Sequence, residues 1–267
     1  MKVFLLNNGY LNTDSNNVVA NSTLCTRTNP NVLHTFYRLP IMCVLIIHDG
    51  HKILYDTGSN PLAMKGYWPK CLQETYELHQ SIEQNLEIQL AYCNVRAEEI
   101  DTVILSHMHF DHTGNIHLFK NADFYVPKKD FMFAQTTVRL SPNPETYCGY
   151  SKNDLDVQVK QYHLIENDFE FLPGVDIINL PGHTPGLLGL VVHCEKDGIL
   201  IFPMDAVYTN EIYGPPAKAS GLLHNREEYF SSIEKVRYLQ KRYNAKVIPA
   251  HDWELFKTLK KAPQYYE

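Results

Sequence analysis

The chain has 267 residues, 44% of them hydrophobic, which is enough for one sizeable core, and no Pro-, Gly- or Ser-rich linker divides residues 1–267 into two domains. No apolar run approaches the ~18 residues of a membrane-spanning helix, and the apolar stretch after Lys2 is too short for a signal peptide, so a cytoplasmic protein without membrane contact is expected. The net charge of −6 argues against a nucleic-acid partner, because phosphate backbones call for basic patches.

Met1 to Asn8 reads as a first strand. Ile41 to His48 and Ile53 to Gly58 flank Asp49-Gly50, a strong hairpin signal. Ser81 can cap a helix through Cys93, with Ile82, Leu86, Leu90 and Cys93 tracing one stripe. Thr102 to Ser106 is a short strand, Asp123 to Pro127 another, and a helix follows from Lys128 to about Gln135. Val175 to Leu180 is strand-like. Leu187 to Cys194 and Ile199 to Met204 form a second hairpin around Asp197-Gly198. Glu227 to Tyr243 is an amphipathic helix that turns Phe230, Ile233, Val236, Tyr238 and Leu239 inward. Lys246 to Ala250 is a last strand, and Trp253 to Lys260 a last helical turn. Three stretches, 9–40, 59–80 and 136–154, lack regular signals. Their aromatics (Phe36, Tyr37, Tyr67, Trp68, Tyr147, Tyr150) predict ordered loops that flank a functional site. One hairpin in each half, with helices between strands, favours an α/β protein built as an αββα sandwich.

The most informative residues are His107-Met108-His109-Phe110-Asp111-His112. Strand side chains alternate with period two, so His107 and His109 leave the end of their strand on one side. Asp111 and His112 follow on a tight turn. Three imidazoles and a carboxylate within six residues are donors that zinc, iron or manganese accept. Further candidates stand just past other apolar strands: His183 in Pro181-Gly182-His183-Thr184-Pro185-Gly186, Asp205 after Ile199 to Met204, and His251 after Lys246 to Ala250. A lone histidine in such a place is more often a packing residue, but four strand ends that each carry a ligand-type residue reverse that. The six cysteines (Cys25, Cys43, Cys71, Cys93, Cys148 and Cys194) include no C-x-x-C pair and read as reduced thiols. None falls at these strand ends, so nitrogen and oxygen donors alone are expected. Asp56, at another strand end, reads as a partner that orients a ligand histidine.

The ordered set His107, His109, Asp111, His112, His183, Asp205 and His251 resembles the metal constellation of the metallo-β-lactamase superfamily, and Leu54-Tyr55-Asp56-Thr57-Gly58 resembles its early strand-end motif. Leu39-Pro40-Ile41-Met42-Cys43, His183-Thr184-Pro185-Gly186 and Asp205-Ala206-Val207-Tyr208 are similar to segments of the N-acyl-homoserine lactone lactonases. The resemblance implies a four-layer αββα fold and two divalent metal ions, zinc first, with iron, manganese or cobalt as alternatives. It assigns His107, His109 and His183 to one ion, Asp111, His112 and His251 to the other, and Asp205 to both. It implies a quorum-quenching hydrolase in which a metal-bridging hydroxide opens a small lactone. Asp111 would relay the proton to the leaving alkoxide, and Tyr208 would either polarise the carbonyl or form plain pocket wall. The alternatives are a glyoxalase II-like thioesterase, another ester or phosphodiester hydrolase, and, last, a non-catalytic metal-binding module. Arg27, Arg38, Lys65, Lys70 and Arg139 stand singly, which counts against an anionic substrate. A monomer or a homodimer fits equally.

Overall fold

The computed structural model describes residues 1–147 and 149–267, so Cys148 lies outside the described residues. Seven of the described strands pair in the order β4-β1-β2-β3-β5-β6-β7. They are β1 (Lys2–Asp14), β2 (Phe36–His48), β3 (His51–Tyr55), β4 (Glu77–His79), β5 (Thr102–Ile104), β6 (Asp123–Pro127) and β7 (Gln161–Ile165). A second sheet pairs β8 (Phe169–Leu172), β9 (Val175–Asn179), β10 (Leu188–Cys194), β11 (Gly198–Phe202) and β12 (Lys246–Val247) in the order β12-β11-β10-β9-β8. The two predicted hairpins are β2-β3 and β10-β11, one in each sheet. Asp49 and Gly50 both take positive φ, 49° and 84°, as the tight turn between right-twisted strands requires.

Central strands of the first sheet are apolar on both faces because both faces are covered. Along β1 to β3, Val3, Leu5, Val44, Ile46, Ile53 and Tyr55 join a core that includes the second sheet. Their neighbours Phe4, Leu6, Cys43, Leu45 and Leu54 turn the other way, under α3 (Leu86–Tyr92) and α5 (Lys128–Leu140). Period-two side chains thereby build two cores from one strand. Tyr55 joins the sheets directly, its hydroxyl donating to the Leu188 carbonyl at 2.5 Å. On the far side α8 (Arg226–Tyr243) covers the second sheet with Tyr229, Ile233 and Val236. Asn225 caps it by accepting from the Glu227 and Glu228 amides, and Asn244 ends it at φ 50°. The four layers are those of the αββα sandwich.

Several elements differ from the sequence reading. The helix expected over 81–93 breaks at Asn85 (ψ 137°) into a single 3-10 turn and α3, leaving Ile82 72% exposed. Two capping residues in succession, Ser81 and Asn85, each start a new helix. Tyr238 is exposed, because it lies about 200° around the helix from Val236. Tyr229 and Ser232 hold the buried stripe instead. Stretch 9–40 is not all loop: β1 runs on to Asp14 past a register shift between Asn7 and Tyr10, and β2 begins at Phe36. Asn7, Asn8 and Gly9 interrupt the apolar pattern there and hide the continuation. Stretch 59–80 contains α2 (Lys70–Thr75) and β4, and α5 runs five residues beyond Gln135 to Leu140. The strands β7 and β8 carry no clear periodic signal, since both are partly solvent-exposed. Among the described residues no helix is long and apolar enough to cross a membrane.

Candidate metal centre

Seven side chains converge where strands of both sheets end. His107 follows β5. Asp111 and His112 sit in α4 (Phe110–Thr113), a one-turn helix rather than the expected bare turn, with His109 as its N-cap residue. His183 lies between β9 and β10, Asp205 in a 3-10 turn after β11, and His251 beyond β12. All seven are at most 7% exposed. They form three overlapping groups, His107-His109-His183, His107-His112-Asp205 and Asp111-His112-His251, each with its donor atoms within 4.8 Å of one another.

Hydrogen bonds at the rear of the rings set which nitrogen faces inward. The Ser106 amide and hydroxyl donate to the Asp56 carboxylate at 2.6 and 2.7 Å, so the Ser106 oxygen is left to accept from His107 Nδ1 at 3.0 Å. His112 Nδ1 donates to Asp56 Oδ2 at 2.7 Å, His183 Nδ1 to the Leu222 carbonyl at 3.0 Å, and His251 Nδ1 to the Pro40 carbonyl at 2.9 Å. Four imidazoles are therefore Nδ1–H tautomers that turn bare Nε2 lone pairs inward. His107 Nε2 and His183 Nε2 each stand 3.0 Å from His109 Nδ1. Donors ~2.0–2.1 Å from one tetrahedral ion would be about 3.3 Å apart, close to this spacing. Asp205 divides its oxygens: Oδ1 lies 3.3 Å from His112 Nε2 and 3.1 Å from His251 Nε2, while Oδ2 lies 3.3 Å from His183 Nε2 and 3.8 Å from His107 Nε2. Asp111 Oδ2 is 3.6 Å from His112 Nε2 and 3.8 Å from His251 Nε2.

The electrostatics call for a cation. Burial pushes His107 well below its ordinary pKa and lowers His183 as well. Burial opposes charge on His112 too, yet Asp111, Asp205 and Asp56 raise its proton affinity well above normal. Its Nε2 is nevertheless buried without a hydrogen-bond partner. The carboxylates around that nitrogen thus favour positive charge there, which a divalent ion can supply in place of a proton. The donor set, imidazole and carboxylate with no thiolate among the described residues, suits zinc, iron or manganese.

Tyr208 is 4% exposed, its ring between those of His183 and His251 with centroids 5.3 and 5.2 Å away. Burial, with Asp205 nearby, raises its pKa well above normal, so the phenol stays a neutral donor. A narrow cavity over the site is walled by Leu11, Leu39, Tyr76, Phe110, Tyr208 and Leu222. All three irregular stretches reach this neighbourhood. Residues 9–40 supply Leu11 and Leu39, residues 59–80 bring Tyr76 and Trp68 against Phe110 (5.1 and 4.5 Å), and residues 136–154 lay Tyr150 on the His109 ring at 4.9 Å. Phe36, 73% exposed, and Tyr37, which donates to Glu211, stand outside that wall. Sequence reasoning missed Ser106, Tyr76 and Leu222. A serine after a strand and an aromatic in an irregular stretch carry little signal, and a backbone carbonyl carries none.

The metallo-beta-lactamase superfamily profile matches residues 37–251. An N-acyl homoserine lactonase AiiB of Rhizobium rhizogenes is 32% identical over 276 residues, which cover 100% of this chain and 99% of the relative. An N-acyl homoserine lactonase of Bacillus cereus is 28% identical over 248 residues, 92% of this chain and 91% of its own. Among solved structures, an N-acyl homoserine lactone hydrolase with the product N-hexanoyl-L-homoserine at its catalytic metal centre superposes with a TM-score of 0.81 at 24% identity, covering 99% and 98% of the two chains. AidC, a dizinc quorum-quenching lactonase, gives 0.65 at 17% identity over 94% and 87%. The fold, the strand-end histidines and a profile match across most of the length together make this chain a member of the metallo-beta-lactamase superfamily.

Proposed function

We propose that the protein is a metal-dependent hydrolase that opens the lactone ring of N-acyl-homoserine lactones. In this reading His107, His109 and His183 would hold one zinc ion, Asp111, His112 and His251 a second, and Asp205 would contribute to both. The observation that carries it is the convergence of inward-facing imidazoles and carboxylates beside a buried, neutral Tyr208, in a chain 32% identical along its whole length to an N-acyl homoserine lactonase. Such ions would supply Lewis acidity and would lower the pKa of a bound water toward neutrality.

The chain's own residues do the rest. Tyr208 donates its O–H to the carbonyl oxygen as that oxygen becomes anionic. Asp111 turns Oδ2 toward His112 and His251. Its Oδ1 is left to take the proton that water gives up as its oxygen bonds to the carbonyl carbon, and to pass it to the ring oxygen as the ester bond breaks. The ring oxygen is a poor leaving group that stays tethered, so it needs a donor close by. Leu11, Leu39, Tyr76, Phe110 and Leu222 exclude water and offer an apolar surface to an uncharged substrate. The five described cysteines are all free thiols, which supports a reducing, cytoplasmic setting.

The test compares kcat/KM for N-acyl-homoserine lactones and S-lactoylglutathione at equal metal loading. Lactones are expected to be the better substrates. If the thioester is turned over about tenfold faster or more, a transition-state preference of ~1.4 kcal/mol the other way, the thioesterase reading replaces this one.

A further inference from the structure

Asp130, in the first turn of α5, is 0% exposed and is not one of the seven converging side chains. Burying a carboxylate is costly unless donors meet it. The Met108 amide donates to Oδ2 at 2.7 Å and the Tyr150 hydroxyl to Oδ1 at 2.5 Å, and the Thr184 side chain, next to His183, also favours the charged form. These donors belong to the surroundings of the metal centre. Met108 stands between His107 and His109, so fixing its N–H fixes the peptide that follows the His107 Cα and leads into His109. Tyr150 lies on the His109 ring, and the two residues also pair as an antiparallel bridge, with the Phe110 amide donating to the Gly149 carbonyl at 3.1 Å. The fit is close, because a side chain at Gly149 (φ 89°) would meet the His109 ring at 3.1 Å. His109 is also the residue whose Nδ1 faces His107 and His183, whereas those two present Nε2.

We infer that Asp130 is a positioning residue for the His107-His109 pair. Its two oxygens hold the peptide between the two rings and, through Tyr150, the face of His109, keeping both donor nitrogens aimed at one point. The inference rests on the metal-centre reading and adds to it an anchor that lies outside the ligand set.

The experiment loads the protein with Co(II) and follows its visible spectrum and its release to a chelator, under conditions where circular dichroism shows each variant folded. Asp130→Ala removes both acceptors. Asp130→Asn keeps an acceptor for Met108 and can donate to the Tyr150 oxygen. Val138→Ala thins the core beneath the same helix and controls for lost stability alone. Asp130→Ala is expected to release cobalt about tenfold to hundredfold faster than wild type with an altered spectrum, while Asp130→Asn and Val138→Ala stay within about threefold. Release from Asp130→Ala no faster than from Val138→Ala, or equal release from the two Asp130 variants, overturns the inference. Should Asp130→Ala fail to fold, Tyr150→Phe decides: release about threefold faster or more supports the anchor, and an unchanged rate overturns it. Wild-type protein that takes up no cobalt counts against the metal centre itself, a separate failure.

Discussion

The Asp56 carboxylate shows how a single residue prepares a metal donor. It binds the Ser106 amide and hydroxyl and His112 Nδ1 together, and thereby orients two imidazoles, His112 directly and His107 through Ser106. The types of side chain were legible in the sequence, since His107, His109, Asp111 and His112 crowd six positions. Their tautomers were not, because the acceptors include the backbone carbonyls of Pro40 and Leu222, more than thirty residues from the rings they meet. Tyr208 belongs to this scale as well. In the proposed reaction its neutral hydroxyl donates to the developing oxyanion, so Tyr208→Phe should lower kcat about tenfold or more while metal content stays unchanged. Steady-state kinetics beside elemental analysis of the same sample checks it, and an unaltered kcat would return Tyr208 to the pocket wall.

At the scale of elements, the site depends on how tightly neighbouring segments approach. Gly182, before His183, has φ 129°, and a Cβ there would come within 2.2 Å of the Tyr229 amide nitrogen at the start of α8. Gly182→Ala should therefore destabilise the protein by about 1–3 kcal/mol or more, since strained backbone and overlap add. It should also weaken metal uptake, because His183 moves with its neighbour. Urea denaturation and a metal-competition titration report the two effects separately, and an unchanged midpoint would contradict the close approach. Elements with strong local signals matched expectation: the Asp49-Gly50 hairpin, β6 at Asp123–Pro127 and the capped α8. Those that differed lacked such signals or carried two that competed. Ser81 and Asn85 each begin a helix, and half-exposed β7 and β8 show neither period cleanly.

For the molecule as a whole, the metal centre joins the two halves. Asp205 and His251 come from the end of the second sheet, and His107 to His112 from the end of the first. Ions bound across that seam add their binding energy to folding, by about 2.7 kcal/mol at a hundredfold excess over Kd. Chelator treatment should therefore lower Tm by several degrees, and elemental analysis of the untreated protein should find close to two ions per chain. A melting curve insensitive to chelator would argue that the buried imidazoles are merely structural. The sequence by itself determined the chemistry available and the layered class of fold, because donor types, strand ends and hairpin turns are local properties of the chain. Only the tertiary structure decided which atoms of those residues face one another, which carbonyls fix their tautomers and which aromatics close the cavity. Those outcomes come from segments distant in the chain that are pressed together by two shared cores, and no local pattern encodes them.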